Sequence, residues 1–397
     1  MKTIVIPCGL SAGRWPVLLT LAWVGIASLG PVLRAEAQAA RIAGAGVPRN
    51  TVTATVTVGQ SPDCLAISPN SQIVYVANRG SNTVSVMYVE NHPAVEATVT
   101  ISNFVKFLAL SQDGNTLYVS EDPQGSGPGV VEVYDVTIPA SPTLKTTLTA
   151  GYYPQCMTVS PDGTQLYVAN GNGGLATTGQ SLITQQNPGA VYVFDTATNT
   201  LSNIIVTNGF PFQVLFTNNG AQADVLNEIG PGFIQFIDTA TGKLSSSTGA
   251  GGRIFRPAGM IGNGQSFPAN GRVYVADGED YVTVCNASNG AATSTILAVG
   301  SVFDEEFLGQ PALTADGQYL YVPYCGGGGI LNAQADPVMR RSDNKVAMID
   351  VSTGKITGSL IRVGFDPVWA LASPDGNTLY VCNAADGTVS VIDIRPN

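Results

Sequence analysis

The sequence predicts an all-β protein, a seven-bladed β-propeller with four-stranded antiparallel blades, on three observations. One phrase recurs along the chain as SQIVYVAN, GNTLYVSE, GTQLYVAN, GRVYVADG, GQYLYVPY and GNTLYVCN. Each copy follows a turn rich in Gly, Asn or Asp and precedes a second apolar run such as NTVSVM, GAVYVFD, KVAMID or TVSVID. No amphipathic run with a period near 3.6 residues occurs beyond the N-terminus. Repeats of this length mean many copies of one small β unit, each burying its faces on its neighbours.

The first element is the N-terminal segment. Lys2 and Arg14 give a basic start, 17–29 is uncharged and apolar, and AEAQAA offers small-residue cleavage sites after Ala37 or Ala39. This is the pattern of a secretory signal. Residues 1–39 are expected to be removed, 40–50 to form a short linker and 51–397 to form the propeller. The apolar run is short for a bilayer and Pro31 breaks the chain just beyond it, so no membrane span is expected after removal. Cys8 precedes the run and is misplaced for lipid attachment.

Aligned on one Val of the second strand, the copies fall at Val76, Val119, Val168, Val225, Val275, Val322 and Val381. The fourth is degenerate, with Asp224 where the others carry Tyr. The turns SPNSQ, SQDGN, SPDGT, TNNGA, GNGQS, TADGQ and SPDGN separate strands a and b, and their Asp-Gly and Asn-Gly steps are strong hairpin signals. QLYVAN and VYVFD are nearly continuous apolar runs, as expected of strands buried on both faces between blades. The chain stops at TVSVIDIRPN, a third strand with no fourth after it, while TVTATVTVG at its start resembles a fourth strand. Residues 51–58 are therefore expected to pair with 388–394 and close the ring, removing two sheet edges.

With SPDG before it, LYVAN followed by NTVSVID resembles the YVTN-type β-propeller repeat of secreted bacterial and archaeal surface proteins. The resemblance covers 51–397 and implies an exported propeller. It names no activity, because its motif residues are structural. More distantly the blades resemble those of lactonase-like seven-bladed propellers and of the heavy chains of periplasmic amine dehydrogenases. Fold does not carry function across such a set.

Composition bounds the function. The chain carries a net charge of −10, and loss of the signal removes three cations and one anion, leaving the remainder more acidic. Such a surface repels phosphate backbones, so nucleic acid is not an expected partner. Cys64, Cys156, Cys285, Cys325 and Cys382 remain, an odd set without a CxxC, which is no disulfide framework. Cys325 and Cys382 end second strands of adjacent units and are the pair a bridge would join. The sole histidine, His92, sits in an outer connection, so a Ser-His-Asp machine and a three-His zinc site are excluded. CGGGG lacks the Lys-Ser/Thr of a phosphate loop, and there is no CxxCH for haem.

Length variation gathers in the b–c and d–a loops, which leave one rim together. Examples are 121–129, 171–190 and 325–344. Long loops on one side of a rigid scaffold are where binding usually lies. The d–a loops bring aromatic and acidic residues to the channel mouth, and the candidate ligand-binding set is Asp63, Tyr152, Tyr153, Phe210, Phe212, Asp304, Glu305, Glu306, Asp366 and Trp369. Aromatic faces beside carboxylates suit a sugar, a cationic small molecule or a peptide. The competing reading is that residues after the d–a Gly pack between blades. A second register, Cys64, Phe107, Cys156, Gln213, Gln310 and Trp369, is expected to line the channel. Its two thiols read more simply as small buried hydrophobes than as soft-metal ligands. The triplet 304–306 suits Ca2+ or an acid/base pair, or a solvated loop tip.

The expectation is an exported, monomeric binding or scaffold propeller, periplasmic or extracellular, without a cofactor, recognising a protein or glycan through its b–c/d–a face. The alternative is a metal-assisted, lactonase-like hydrolase or lyase using carboxylates and Ca2+ or Mg2+ at the channel mouth. A scaffold subunit beside a periplasmic redox enzyme is a third.

Overall fold

A computed structural model describes residues 46–123, 127–172, 189–227, 232–254, 259–262, 271–276, 281–297, 307–325 and 344–397. The expected signal segment, the triplet 304–306 and most of the long loops 171–190 and 325–344 lie outside the described residues.

Among the described residues, twenty-nine strands form antiparallel sheets. After β1 (Thr51–Thr57), the strands β2 (Pro62–Ile67), β3 (Ile73–Asn78), β4 (Thr83–Tyr88) and β5 (Ala94–Thr100) form a four-stranded sheet in chain order. A seven-stranded sheet comes next, built from β6 (Phe104–Leu110), β7 (Thr116–Asp122), β8 (Gly129–Asp135), β9 (Thr143–Val159), β10 (Gln165–Asn172), β11 (Ala190–Asp195) and β12 (Thr200–Val206). Two further four-stranded sheets are β13 (Pro211–Thr217), β14 (Gln222–Asn227), β15 (Gly232–Asp238), β16 (Lys243–Ile254) and β17 (Gly259–Gly262), β18 (Arg272–Ala276), β19 (Tyr281–Asn286), β20 (Ala292–Leu297). The next sheet has six strands: β21 (Phe307–Leu308) and β22 (Ala312–Leu313) on one side of β23 (Tyr319–Cys325), then β24 (Lys345–Asp350), with β25 (Lys355–Ile356) and β26 (Ile361–Arg362) beyond it. In the last, β27 (Pro367–Ala372), β28 (Thr378–Asn383) and β29 (Thr388–Asp393) are completed by β1.

The architecture is an all-β propeller, but the expectation of seven separate four-stranded sheets is corrected. The described strands form six sheets, of which four have four strands. The cause lies in two places. In β9 the chain does not break between the second and third repeats. Its first part pairs with β8 from Thr143 to Gly151, its second with β10 from Tyr152 to Val159, and it turns at Gly151 (φ 79°) and Tyr153 (φ 53°). In the six-stranded sheet the inner and outer strands are each split in two, so four strand paths appear as six segments.

The repeated phrase has a local physical basis. In the a–b turn Ser160 Oγ donates to Asp162 Oδ1 at 2.5 Å, and Asp162 Oδ1 accepts from Thr164 N–H. The hydroxyl accepts in turn from Gln165 N–H. The same knot recurs with Ser111 and Asp113, Thr314 and Asp316, and Ser373 and Asp375. Gly163, at φ 75°, supplies the left-handed turn. The Tyr of each phrase is a core residue: Tyr75, Tyr118, Tyr167, Tyr274, Tyr321 and Tyr380 are at most 2% exposed. Strands such as β3 are buried along their whole length, which explains their continuous apolar sequences.

Apolar clusters lie between facing strands. Examples are Tyr118, Val133 and Leu166 within the folded seven-stranded sheet, and Tyr167, Val193 and Val225 between it and β13–β16. Tyr321, Met348 and Val381 join the six-stranded sheet to the last. One cluster joins Leu65, Val74 and Met87 of the first sheet to Val56, Tyr380 and Val389 of the last. β1 pairs antiparallel with β29 from Thr51↔Asp393 to Thr57↔Thr388. The pairing continues upstream, where Arg49 N–H donates to Arg395 O and Asn397 N–H to Val47 O. Tyr321 Oη donates to Asn50 Oδ1 at 2.7 Å, tying this segment to the six-stranded sheet.

Candidate functional site

Because the sheets are antiparallel, the b–c and d–a connections leave one rim, and the innermost strands β2, β6, the second part of β9, β13, β17, β22 and β27 run away from it. Their upper ends define the mouth of the propeller.

Just below that mouth the register expected to line a channel closes the axis instead. Phe107 of β6 meets Phe212 of β13 edge-on at 5.9 Å and Trp369 of β27 at 5.9 Å with a 54° tilt. Phe212 and Trp369 pack on the same cluster as Cys64, Phe107 and Cys156. The structure therefore gives Phe212 and Trp369 a packing role rather than placing them open on a binding surface. Of the remaining members, Cys64, Gln213 and Gln310 make hydrogen bonds to a neighbouring sheet. Cys64 Sγ accepts from Leu108 N–H at 3.5 Å, and Gln213 Oε1 accepts from Met260 N–H at 2.6 Å. Gln310 Nε2 donates to Met260 O at 3.1 Å, so two glutamines bracket Met260 of β17. Cys64, Cys156, Cys285 and Cys382 are free and buried, and burial pushes each thiol up, Cys156 and Cys285 to about 12. A thiol held so far above neutral pH is a packing group rather than a nucleophile. Among the described residues no group of three His, Cys, Asp or Glu side chains is arranged to hold a metal ion.

One register nearer the rim, charge appears. Asp63 of β2 faces Arg79 at 3.6 Å, and Lys106 of β6 faces Asp122 at 3.7 Å. These are equivalent positions in successive repeats with the signs exchanged: acid on strand a and base after strand b, then base on a and acid on b. Burial raises the Asp63 carboxyl, while Arg79 and then Lys106 pull it back, so the two ion pairs form one alternating array. Tyr152, opposite Asn172, and Tyr153 stand half-buried at the turn of β9. Phe210 is half-buried with its ring over Gly171, where a Cβ would come within 2.1 Å of it. Asp366 is half-buried with φ 56°, and its carbonyl accepts from Ala384 N–H. Asp304, Glu305 and Glu306 lie outside the described residues. A separate cleft of about 330 Å³ opens on the opposite rim between turns at Ser160–Gln165 and Asn219–Gly220, with Phe216 and Thr239 in its walls.

Sequence reading reached Asp63 but missed Arg79, Lys106 and Asp122, although Lys106 occupies Asp63's own register one repeat on. It also missed a carboxyl pair. The strand-end Asn of YVAN is a buried clamp: Asn78 Oδ1 accepts from Gly59 N–H, and its Nδ2 donates to Ser85 Oγ at 2.9 Å. In the second repeat the clamp is Glu121, fully buried, and the residue in Ser85's register is Glu132. The signal was the YVSE spelling where sister copies end in Asn.

These features define a class: an all-β propeller with an aromatic-plugged axis and a mixed charged and aromatic mouth. The Choice-of-anchor I domain matches residues 65–211, under half of the chain. Among solved structures, a chain of Kuenenia stuttgartiensis hydrazine synthase superposes with a TM-score of 0.66 at 17% identity, covering 85% of this chain and 97% of that one. At that identity the likeness is one of fold. The curated proteins contain no match.

Proposed function

We propose that the protein is an exported, non-catalytic propeller, periplasmic or extracellular, that binds a protein or glycan through its b–c/d–a rim. We take its sheets as seven blades in a closed ring, with β9 serving as outer strand of one blade and inner strand of the next. The bend at Gly151 and Tyr153 supports that count, and the apolar cluster shared by β2–β4 with β27–β29 supports closure. The match to a choice-of-anchor domain supports export to a surface. The observation that carries the binding reading is the rim itself. Ion pairs Asp63–Arg79 and Lys106–Asp122 stand at strand ends on this rim, where half-buried Tyr152 and Tyr153 also lie, and long loops depart from the same side. Paired charges beside aromatic faces give directional polar recognition with flat stacking area.

The test compares wild type with a Tyr152→Ala/Asp366→Asn variant and with Glu90→Ala on the opposite side, over a glycan panel and immobilised envelope proteins. A loss of about tenfold or more in affinity for the rim variant alone is expected. Equal binding by all three would overturn the reading. Ca2+-dependent lactone hydrolysis would replace it with the enzyme alternative.

A further inference from the structure

The Glu121–Glu132 pair stands where sister repeats place a neutral hydrogen bond. Asn78 Nδ2 donates to Ser85 Oγ at 2.9 Å, Asn383 Nδ2 to Ser390 Oγ at 3.0 Å, and Asn227 Nδ2 to Gln235 Oε1 at 3.2 Å. In each case the first residue ends strand b and the second lies diagonally across on strand c, on one face of the sheet. Glu121 and Glu132 occupy the same two positions of β7 and β8. Both are buried, at 0% and 7% exposure. An amide supplies its own donor hydrogens, whereas two ionised carboxylates have none.

Their other contacts are already committed. Glu121 Oε2 accepts from Asn103 N–H at 2.9 Å and from Asn103 Nδ2 at 3.1 Å. Glu132 Oε2 accepts from Tyr134 Oη at 2.6 Å. Glu121 Oε1 is buried and has no partner among the described residues. A buried acceptor left in this state beside a second carboxylate is costly on both counts. One proton resolves both, because it restores the donor and removes one charge.

We propose that Glu121 and Glu132 hold one proton between them and act as a pH-sensitive switch: with the proton present the pair stands as a hydrogen bond inside the second repeat, and when it leaves two facing carboxylates repel there and strain the pairing of β7 with β8. Asn103, bonded to Glu121, leads directly into Phe104 and Lys106 at the mouth, so the switch is wired to the proposed binding rim. It stands on hydrogen-bond geometry and does not depend on what that rim binds. The groups facing the pair are Tyr134 on β8 and Asn103 before β6. The flanking charges are Lys106 and Asp122, with Asp63 and Arg79 beyond them on the first repeat. Burial first, and then the Glu132 charge, pushes Glu121 up to about 7, against the opposing pull of the Asn103 bonds. A carboxyl raised in this way contributes stability that is complete below its unfolded value and is lost as pH rises to and through about 7.

The test uses the full mature chain. Melting temperature is followed from about pH 5 to about pH 9 for wild type, Glu121→Gln and Glu132→Gln, with the double variant Glu121→Asn/Glu132→Ser reinstating the first-repeat pattern. Asp224 contributes a slope of the same sign, so the difference from wild type is the quantity read. Wild type is expected to lose roughly 5 °C more than the variants as pH rises across that range. Infrared difference spectra are expected to show a protonated-carboxyl band at mildly acidic pH in wild type, reduced in the double variant to the share that Asp224 supplies. Parallel pH profiles for wild type and every folded variant, or an undiminished band in the double variant, would overturn the proposal.

Discussion

Asp224 shows how one side chain departs from an otherwise repeated design. Six repeats bury a Tyr at this position, and the fourth buries an Asp at 0% exposure. Thr217 Oγ1 and Gln222 Nε2 both donate to its Oδ1, at 3.0 and 2.6 Å, while Oδ2 has no partner among the described residues. Burial outweighs those two bonds and raises the carboxyl to about 7. The linkage has a definite sign. The folded state binds the proton more tightly than the unfolded chain, so the contribution of Asp224 to stability is complete below pH 3.8 and declines as pH climbs to and through 7. The decline amounts to at most about 4 kcal/mol. Asp224→Asn keeps the two donated bonds and removes the charge, so its stability in urea is expected to exceed wild type at alkaline pH and to converge with it in acid. A constant difference across pH would show that the carboxyl is not held neutral. The degeneracy at 224 was visible in the sequence. Its protonation was not, because that depends on which neighbouring sheet covers it, and Cys285, close enough to feel its charge, comes from the next repeat.

At the scale of elements, β9 decides how two repeats become one sheet. Gly151 adopts φ 79°, and a Cβ there would stand 2.9 Å from Tyr192 Cζ. Gly151→Ala is therefore both strained and crowded, and a loss of about 1–3 kcal/mol is expected from chemical denaturation. Gly163→Ala, in an a–b turn whose nearest neighbour is the Gln112 side chain at 3.7 Å, is the control for strain without crowding. Equal losses from the two would mean that the corner of β9 is not specially constrained. Most strands were legible because their apolar runs are continuous and bounded by Asp-Gly or Asn-Gly. The unbroken β9 was not, since GYYPQ reads as a loop between repeats and only pairing on both sides makes it strand. The candidate site divides in the same way. The aromatic residues of the d–a loops were readable, but not that Phe212 and Trp369 turn inward to Phe107. The exchanged signs at Asp63/Arg79 and Lys106/Asp122 emerge only when repeats are aligned by register rather than by motif.

At the scale of the molecule, the ends of the chain carry the largest mechanical consequence. β1 supplies the outer strand of the last sheet and places Val56 in the cluster shared with the first. Deleting 51–57 leaves β29 as a bare edge and weakens the cluster that joins the first and last sheets, opening the proposed ring. Its melting temperature is expected to fall by more than about 10 °C, whereas removal of 175–185, outside the described strands, is expected to cost far less. Similar melting temperatures for the two deletions would refute closure by β1.

The repeat, the turn chemistry and the continuous apolar strands were determined by the sequence alone, because they arise from local hydrogen bonds and from burial on both faces. Only the tertiary structure decided that β9 joins the second and third repeats in one sheet, that the axis is plugged by Phe107, Phe212 and Trp369, and that Glu121 meets Glu132 without a donor between them. Each of these depends on residues far apart in the chain meeting in a low-dielectric interior, where a neighbour's identity sets both packing and charge.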